Sequence, residues 1–186
     1  MKDIKQILKT ITAELQEALL EVDIAEVQKA VEMIAKAENV FVLGLGRGGL
    51  AVKSFEMRLA HLGKHAYEVW GINTPPIKAQ DLLIVISCSG NTQTTLHLAT
   101  VAKQKGAQVI ACSTQKESKI ASIADLIIQL KAPGMKNKGS EVDSIQPMNT
   151  LFEQSLFVLF DAMVLLLMER LGETPETTAG RHANLE

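Results

Sequence analysis

The chain has 186 residues, 47% of them hydrophobic, and a formal net charge of −2. That length suits one domain, or one domain with appended helices, which buries ~70% of the surface its unfolded chain exposes and needs no metal or disulfide to fold. The near-neutral charge argues against a general nucleic-acid binder, and two cysteines outside any CxxC pair point to a reducing, cytoplasmic setting.

The N-terminus carries no apolar signal core. Residues 1–37 read as two helices: Ile4, Leu8, Ile11, Leu15 and Leu19 recur at helical spacing, and Asp23 caps a second helix with Val27, Val31 and Ile34 on one face. Acidic residues outnumber basic ones there, which argues against a DNA-binding helix pair. A pattern of strands alternating with helices follows. The strands are "NVFVLGLG" (39–46), "HAYEVWG" (65–71), "DLLIVIS" (81–87), "AQVIACS" (107–113) and "DLIIQL" (125–130). Helices are expected over 49–62 and 92–105, with Met57 as core filler. Residues 131–148, with Pro133, Gly134, Gly139 and Pro147, read as a loop. A last helix over 149–171 is apolar nearly all round, so it lies in the core or against another subunit. Its most apolar part, Leu156 to Met168, is too short to span a bilayer and contains Asp161. A polar tail (173–186) ends the chain. The fold class is α/β: a three-layer sandwich around a five-stranded parallel sheet in the flavodoxin-like order 2-1-3-4-5, the whole chain forming one domain.

In that order the first and third strands are neighbours, and a ligand crevice opens at their carboxyl ends. Two unusual loops converge there. The first is Gly44-Leu45-Gly46-Arg47-Gly48-Gly49. The second is "SCSGNT" (87–92), which leads into a helix whose first N–H groups lack partners. Hydroxyls of Ser87, Ser89 and Thr92, with Asn91, complete a cradle for a phosphate without a lysine; the alternative is a simple helix cap by Ser89 or Asn91. Gly44, Gly46 and Gly49 also match GxGxxG, with Glu68 placed as a ribose-binding acid would be, so a nicotinamide-binding fold stands as an alternative, as does plain helix-on-strand packing of the glycines. Arg47 at the mouth suits phosphate or sugar oxygens.

The motifs "GLGRGGLAVKSFEMRLAHLG" (44–63), "DLLIVISCSGNTQTT" (81–95), "TLFEQSLFVLFDAMV" (150–164) and "RHANLE" (181–186) resemble the SIS (sugar isomerase) domain family and, within it, its 6-phospho-3-hexuloisomerase branch, over nearly the whole chain. The resemblance implies interconversion of 3-hexulose 6-phosphate and fructose 6-phosphate through an enediol, the second step of formaldehyde fixation in the ribulose monophosphate pathway. It implies a homo-oligomer, a tetramer, with no metal or organic cofactor. It implies substrate binding by Gly46, Arg47, Gly48, Ser87, Ser89, Asn91 and Thr92. Gly48 stands where the family usually carries a serine.

Carbonyl migration needs a base at carbon, and a carboxylate in a partly apolar site serves that purpose. Glu153 is the candidate. Thr150-x-x-Glu153 also reads as a capping box, a purely structural use of the same residue. His182 is a solvated tail histidine by its surroundings, and a proton shuttle between the sugar oxygens by the resemblance, acting from its own or a neighbouring subunit. A non-catalytic sugar-phosphate-binding module of the same fold is the alternative function.

Overall fold

The computed structural model describes residues 3–134 and 143–185. Five strands, β1 (Asn39–Gly44), β2 (His65–Glu68), β3 (Leu82–Ile86), β4 (Gln108–Ser113) and β5 (Leu126–Gln129), make one sheet in the order β2-β1-β3-β4-β5, every pair parallel. The expected architecture and order are those observed. Six helices accompany it: α1 (Ile4–Leu20), α2 (Ile24–Lys36), α3 (Gly46–His61), α4 (Gln93–Gln104), α5 (Thr150–Leu171) and the short α6 (Pro175–Ala179). Asp23 caps α2 as expected, its Oδ1 accepting from the Ala25 N–H at 2.9 Å.

The strands are continuous apolar runs because both faces are covered. β3 is buried at every residue. Alternate residues divide between two cores. Val40, Val42, Leu82, Ile84 and Ile110 meet Ile34, Phe55, Leu156 and Phe160 of α2, α3 and α5. Phe41, Leu43, Leu83, Val85 and Val109 meet Ala99 and Ala102 of α4. Phe55 and Phe160 stack with ring centroids 4.5 Å apart, locking α3 against α5.

Four expectations are corrected at their edges. α3 begins at Gly46, not Gly49, so a single residue, Leu45, links it to β1. β2 stops at Glu68 because the Gly71 N–H and the Thr74 hydroxyl both bond the Glu68 carbonyl and turn the chain. The polar tail folds in part: Thr174 and Thr177 form a capping box that starts α6. Met57 is half exposed on the outer face of α3, not in the core.

α5 buries one face, through Leu151, Phe152, Leu156, Phe160, Met163 and Leu167, and exposes Phe157, Val158 and Leu165 on the other. It is long and apolar enough to cross a membrane, but its buried face is part of the sheet-covering core. Of the loop expected over 131–148, only the ends fall within the described residues.

Candidate active site

The crevice lies at the carboxyl ends of β1 and β3, between the first turns of α3, α4 and α5. It has a volume of about 300 Å³ and is lined by Gly48, Ser87, Ser89, Thr92, Phe152 and Glu153, among others. Register places Gly44 of β1 level with Ile86 of β3, so both loops leave the sheet at the same height. The α3 side is set by two glycines in contact. A Cβ on Gly44 would sit 2.9 Å from Gly49 Cα, and one on Gly49 would lie 2.6 Å from the Gly44 carbonyl oxygen. This close packing accounts for the GxGxxG spacing. Glu68, the candidate ribose acid, is held instead by Lys53 at 2.6 Å.

The α4 side is a stapled loop. The Cys88 carbonyl accepts from the Thr114 N–H (3.1 Å), the Thr114 hydroxyl (2.8 Å) and the Ser113 hydroxyl (3.1 Å). The Gly90 carbonyl accepts from the Ile120 N–H at 3.0 Å. Gly90 itself has φ +63°, and a side chain there would collide with Ser118. Thr92, the N-cap of α4, makes no side-chain cap bond; its hydroxyl lies 3.0 Å from that of Ser87. The N-cap is thus Thr92, not Ser89 or Asn91 as the cap alternative had it, and the hydroxyl pair stands in front of the open N-terminus of a helix, where an anion is favoured by the N–H groups and the helix dipole.

The third wall carries the charge. Glu153, with a side chain only 15% exposed, sits in the first turn of α5 and pairs with Arg47 Nε at 3.0 Å. The capping-box alternative is overturned: Thr150 donates its hydroxyl to the Pro147 carbonyl (2.6 Å), Asn149 is the N-cap, and the Glu153 carboxylate faces Arg47. The Cys88 thiol is pushed up to about 11 by burial, opposed by the Thr114 hydrogen bond and reinforced by the negative charge of Glu153. It stays a neutral thiol at physiological pH.

The SIS domain profile matches residues 33–158, which span the sheet, the crevice and most of α5. The chain belongs to the SIS domain family. A curated SIS relative, the 3-hexulose-6-phosphate isomerase of Bacillus subtilis, is 41% identical over 87% of this chain and 87% of its own length. The enzyme of the same name from Mycobacterium gastri is 35% identical over 99% of this chain and 92% of its own. Among solved SIS structures, a Methanococcus jannaschii protein, whose structure was reported to imply 3-hexulose-6-phosphate isomerase function, superposes with a TM-score of 0.84 at 29% identity. That match covers 97% of this chain and 99% of the other.

The fold thus brings Gly48, Ser87, Ser89, Thr92 and Glu153 to one SIS crevice, with Arg47 at its mouth. It does not bring the others. Gly46 (φ +56°) starts α3 without lining the crevice. Asn91 is turned away: its amide nitrogen donates to the Ser89 carbonyl (2.8 Å) and its oxygen accepts from the Lys119 N–H (3.2 Å). Asn91 builds the loop and does not face the ligand. His182 packs 5.3 Å from His61, at the far end of α3. Fourteen residues at ~1.5 Å each put that end about 21 Å from Arg47, so within one chain His182 does not reach Glu153. Cys88, Asn149 and Phe152 line the crevice without having been singled out. Cys88 sits between the two named serines and Asn149 opens the named helix, and those positions are the signals that point to them. Among the described residues no group of three or more His, Cys, Asp or Glu is placed to hold a metal.

Proposed function

We propose that this SIS protein is a 3-hexulose-6-phosphate isomerase, converting that sugar phosphate to fructose 6-phosphate and back. The reading is carried by Glu153, a little-exposed carboxylate set opposite an uncharged cradle of hydroxyls and helix N–H groups, in a chain 41% identical to an isomerase of that name. The phosphate binds at Ser87, Ser89 and Thr92, over the N-terminus of α4. Arg47 holds Glu153 as an oriented carboxylate in the free enzyme and turns to sugar oxygens when substrate enters.

Glu153 takes the proton from C2 of the 3-hexulose. The C2–H electron pair becomes the C2=C3 double bond, and the C3 oxygen gains a proton. The resulting enediol loses the proton of its C2 hydroxyl, C2=O forms, and Glu153 returns its proton to C3. An acid–base group must move protons between the two oxygens. His182 of a neighbouring subunit supplies it. Support comes from the exposed apolar stripe that runs between the two ends of the α3–α5 pair: Leu50 (60% exposed) and Met57 on α3, Phe157 and Leu165 (68% exposed) on α5. A second copy packed antiparallel over this stripe, about a two-fold axis, sets the His182 end of one chain against the Glu153 end of the other. Ile4 and Leu8, exposed on α1, offer a second contact of the kind a tetramer needs. Two free cysteines fit a cytoplasmic enzyme.

The test is Glu153→Gln in a coupled isomerase assay. Turnover should fall about 10³-fold, within the usual range for removing a general base, while inorganic phosphate still binds as a competitive inhibitor. Turnover within tenfold of the parent removes Glu153 from the mechanism, and a parent without turnover removes the enzyme reading.

A further inference from the structure

The N-terminal helix α1 contributes only Ala18 to the fully buried core, yet it reaches the crevice by another route. The Glu14 carboxylate gathers three hydrogen bonds from the segment that leads into α5. Its Oε2 accepts from the Ser144 hydroxyl at 2.6 Å and from the Gln146 side-chain amide at 3.2 Å, and its Oε1 accepts from the Ile145 N–H at 2.8 Å. Ser144 Oγ in turn accepts from the Gln146 N–H at 3.0 Å. Burial raises the Glu14 carboxyl, but the three donors outweigh it and hold the group below the ordinary carboxylate range. A carboxylate with its lone pairs shared among three donors from one short segment is a clamp, because charge-assisted hydrogen bonds are the short and strong ones.

What the clamp grips continues straight into the site. Pro147 follows, its carbonyl accepting both the N–H and the hydroxyl of Thr150. Met148 has φ +60°, a left-handed conformation that a methionine adopts only where its surroundings impose it. Asn149 lines the crevice and accepts from the Glu153 N–H at 3.0 Å, and Glu153 stands one turn on.

We infer that Glu14 is a positioning residue for the crevice: by holding residues 144–146 it imposes the left-handed turn at Met148 and seats Asn149 and Glu153 against the phosphate cradle. Among the described residues, the hydrogen bonds that hold the cradle come from β3, β4 and the segment after β4, not from Glu14. The two halves of the site therefore have separate supports, and Glu14 controls one of them. The kinetic part of this inference rests on the isomerase reading; the structural part does not.

The experiment compares the parent with Glu14→Ala and Glu14→Gln in the full-length protein, by three measurements. In the isomerase assay, Glu14→Ala should lower kcat about tenfold, because a displacement of Glu153 smaller than ~1 Å costs less than the roughly 10²-fold of a full ~1 Å misplacement. Inhibition by inorganic phosphate should stay within twofold of the parent, because the cradle is untouched. Hydrogen exchange should speed up at the Ile145 and Gln146 amides and in the first turn of α5. Glu14→Gln, which keeps the volume and one acceptor, should fall between. Ser144→Ala added to Glu14→Ala should cost less than twofold more, because the shared bond is already gone. Unchanged kcat, or phosphate affinity lost in step with kcat, overturns the inference. A parent without turnover overturns the isomerase reading instead, and exchange at Ile145 then decides: protection equal in parent and variant overturns the clamp.

Discussion

The two ends of the α3–α5 pair are built in different ways. At the crevice end, positions are set by backbone: Gly44 touching Gly49, the Cys88 carbonyl held by three donors, Gly90 closed over Ser118. At the tail end, positions are set by surface side chains: Arg181 bonds Glu173 at 2.7 Å and the His61 carbonyl at 2.9 Å, and His182 lies exposed beside His61. Surface ion pairs of that kind contribute little to stability. The first end needs nothing beyond its own chain to hold its shape. The second rests on side-chain contacts and carries a histidine far from Glu153 in the same chain. The difference teaches that the crevice loops are fixed within one chain, whereas the shuttle proposed for His182 depends on a neighbouring one.

The sharpest way to break this comparison is to mix inactive subunits. Glu153→Gln and His182→Ala proteins, each inactive alone, should regain about a quarter of parental activity after random re-association. Half of the paired sites then belong to mixed pairs, and one site in each mixed pair has both residues intact. No recovery removes His182 as the shuttle and ends the division of labour between subunits. Next in size is the crevice end's dependence on backbone. Gly90→Ala sets a methyl against Ser118 at positive φ, which costs about 2 kcal/mol and lowers Tm by about 4–8 °C, with phosphate affinity falling alongside. A variant as stable as the parent shows that the cradle is not backbone-built.

How much of this was legible in the sequence depends on which residue is asked. The strand runs, above all "LLIVI", carry their own assignment because strands covered on both faces are apolar throughout. The order of the sheet follows from alternation with helices, and the switch point follows from the order. The serines follow from these steps and line the crevice; Glu153, which lines it too, was named from the need for a base and from the family resemblance. Asn91 was not, because loop composition does not tell which way a side chain turns, and here the Lys119 N–H, 28 residues on, captures it. Met57 reads as core because methionine is a common core filler, but it stands half exposed on the outer face of α3 beside Glu56 and Arg58. Glu14 is invisible on a helix of similar charged residues: its partners are 130 to 132 residues away.

The smallest test concerns alkali. Burial pushes Cys88 to about 11 and Cys112, wholly inside, to about 12, against an ordinary 9.0. The folded state thus favours the protonated thiols more than the unfolded state does. The stability this contributes is complete below pH 9 and is lost as pH rises through 11 to 12. Denaturation midpoints should drop across that window, and Cys88→Ala should lessen the drop. A flat profile means that solvent reaches the crevice floor more freely than its walls suggest.

One consequence of the single-residue link at Leu45 reaches into the protein's history. With Gly44 and Gly49 already touching, no slack separates β1 from α3, so a lengthened or shortened connection has nowhere to go except into a rotation of the whole helix. Such a rotation swings Arg47 off Glu153 and moves the outer stripe of Leu50 and Met57 together. In the assembly proposed above, drift in that connection alters the Arg47–Glu153 pair and the outer stripe at once, and neither can be tuned there without the other.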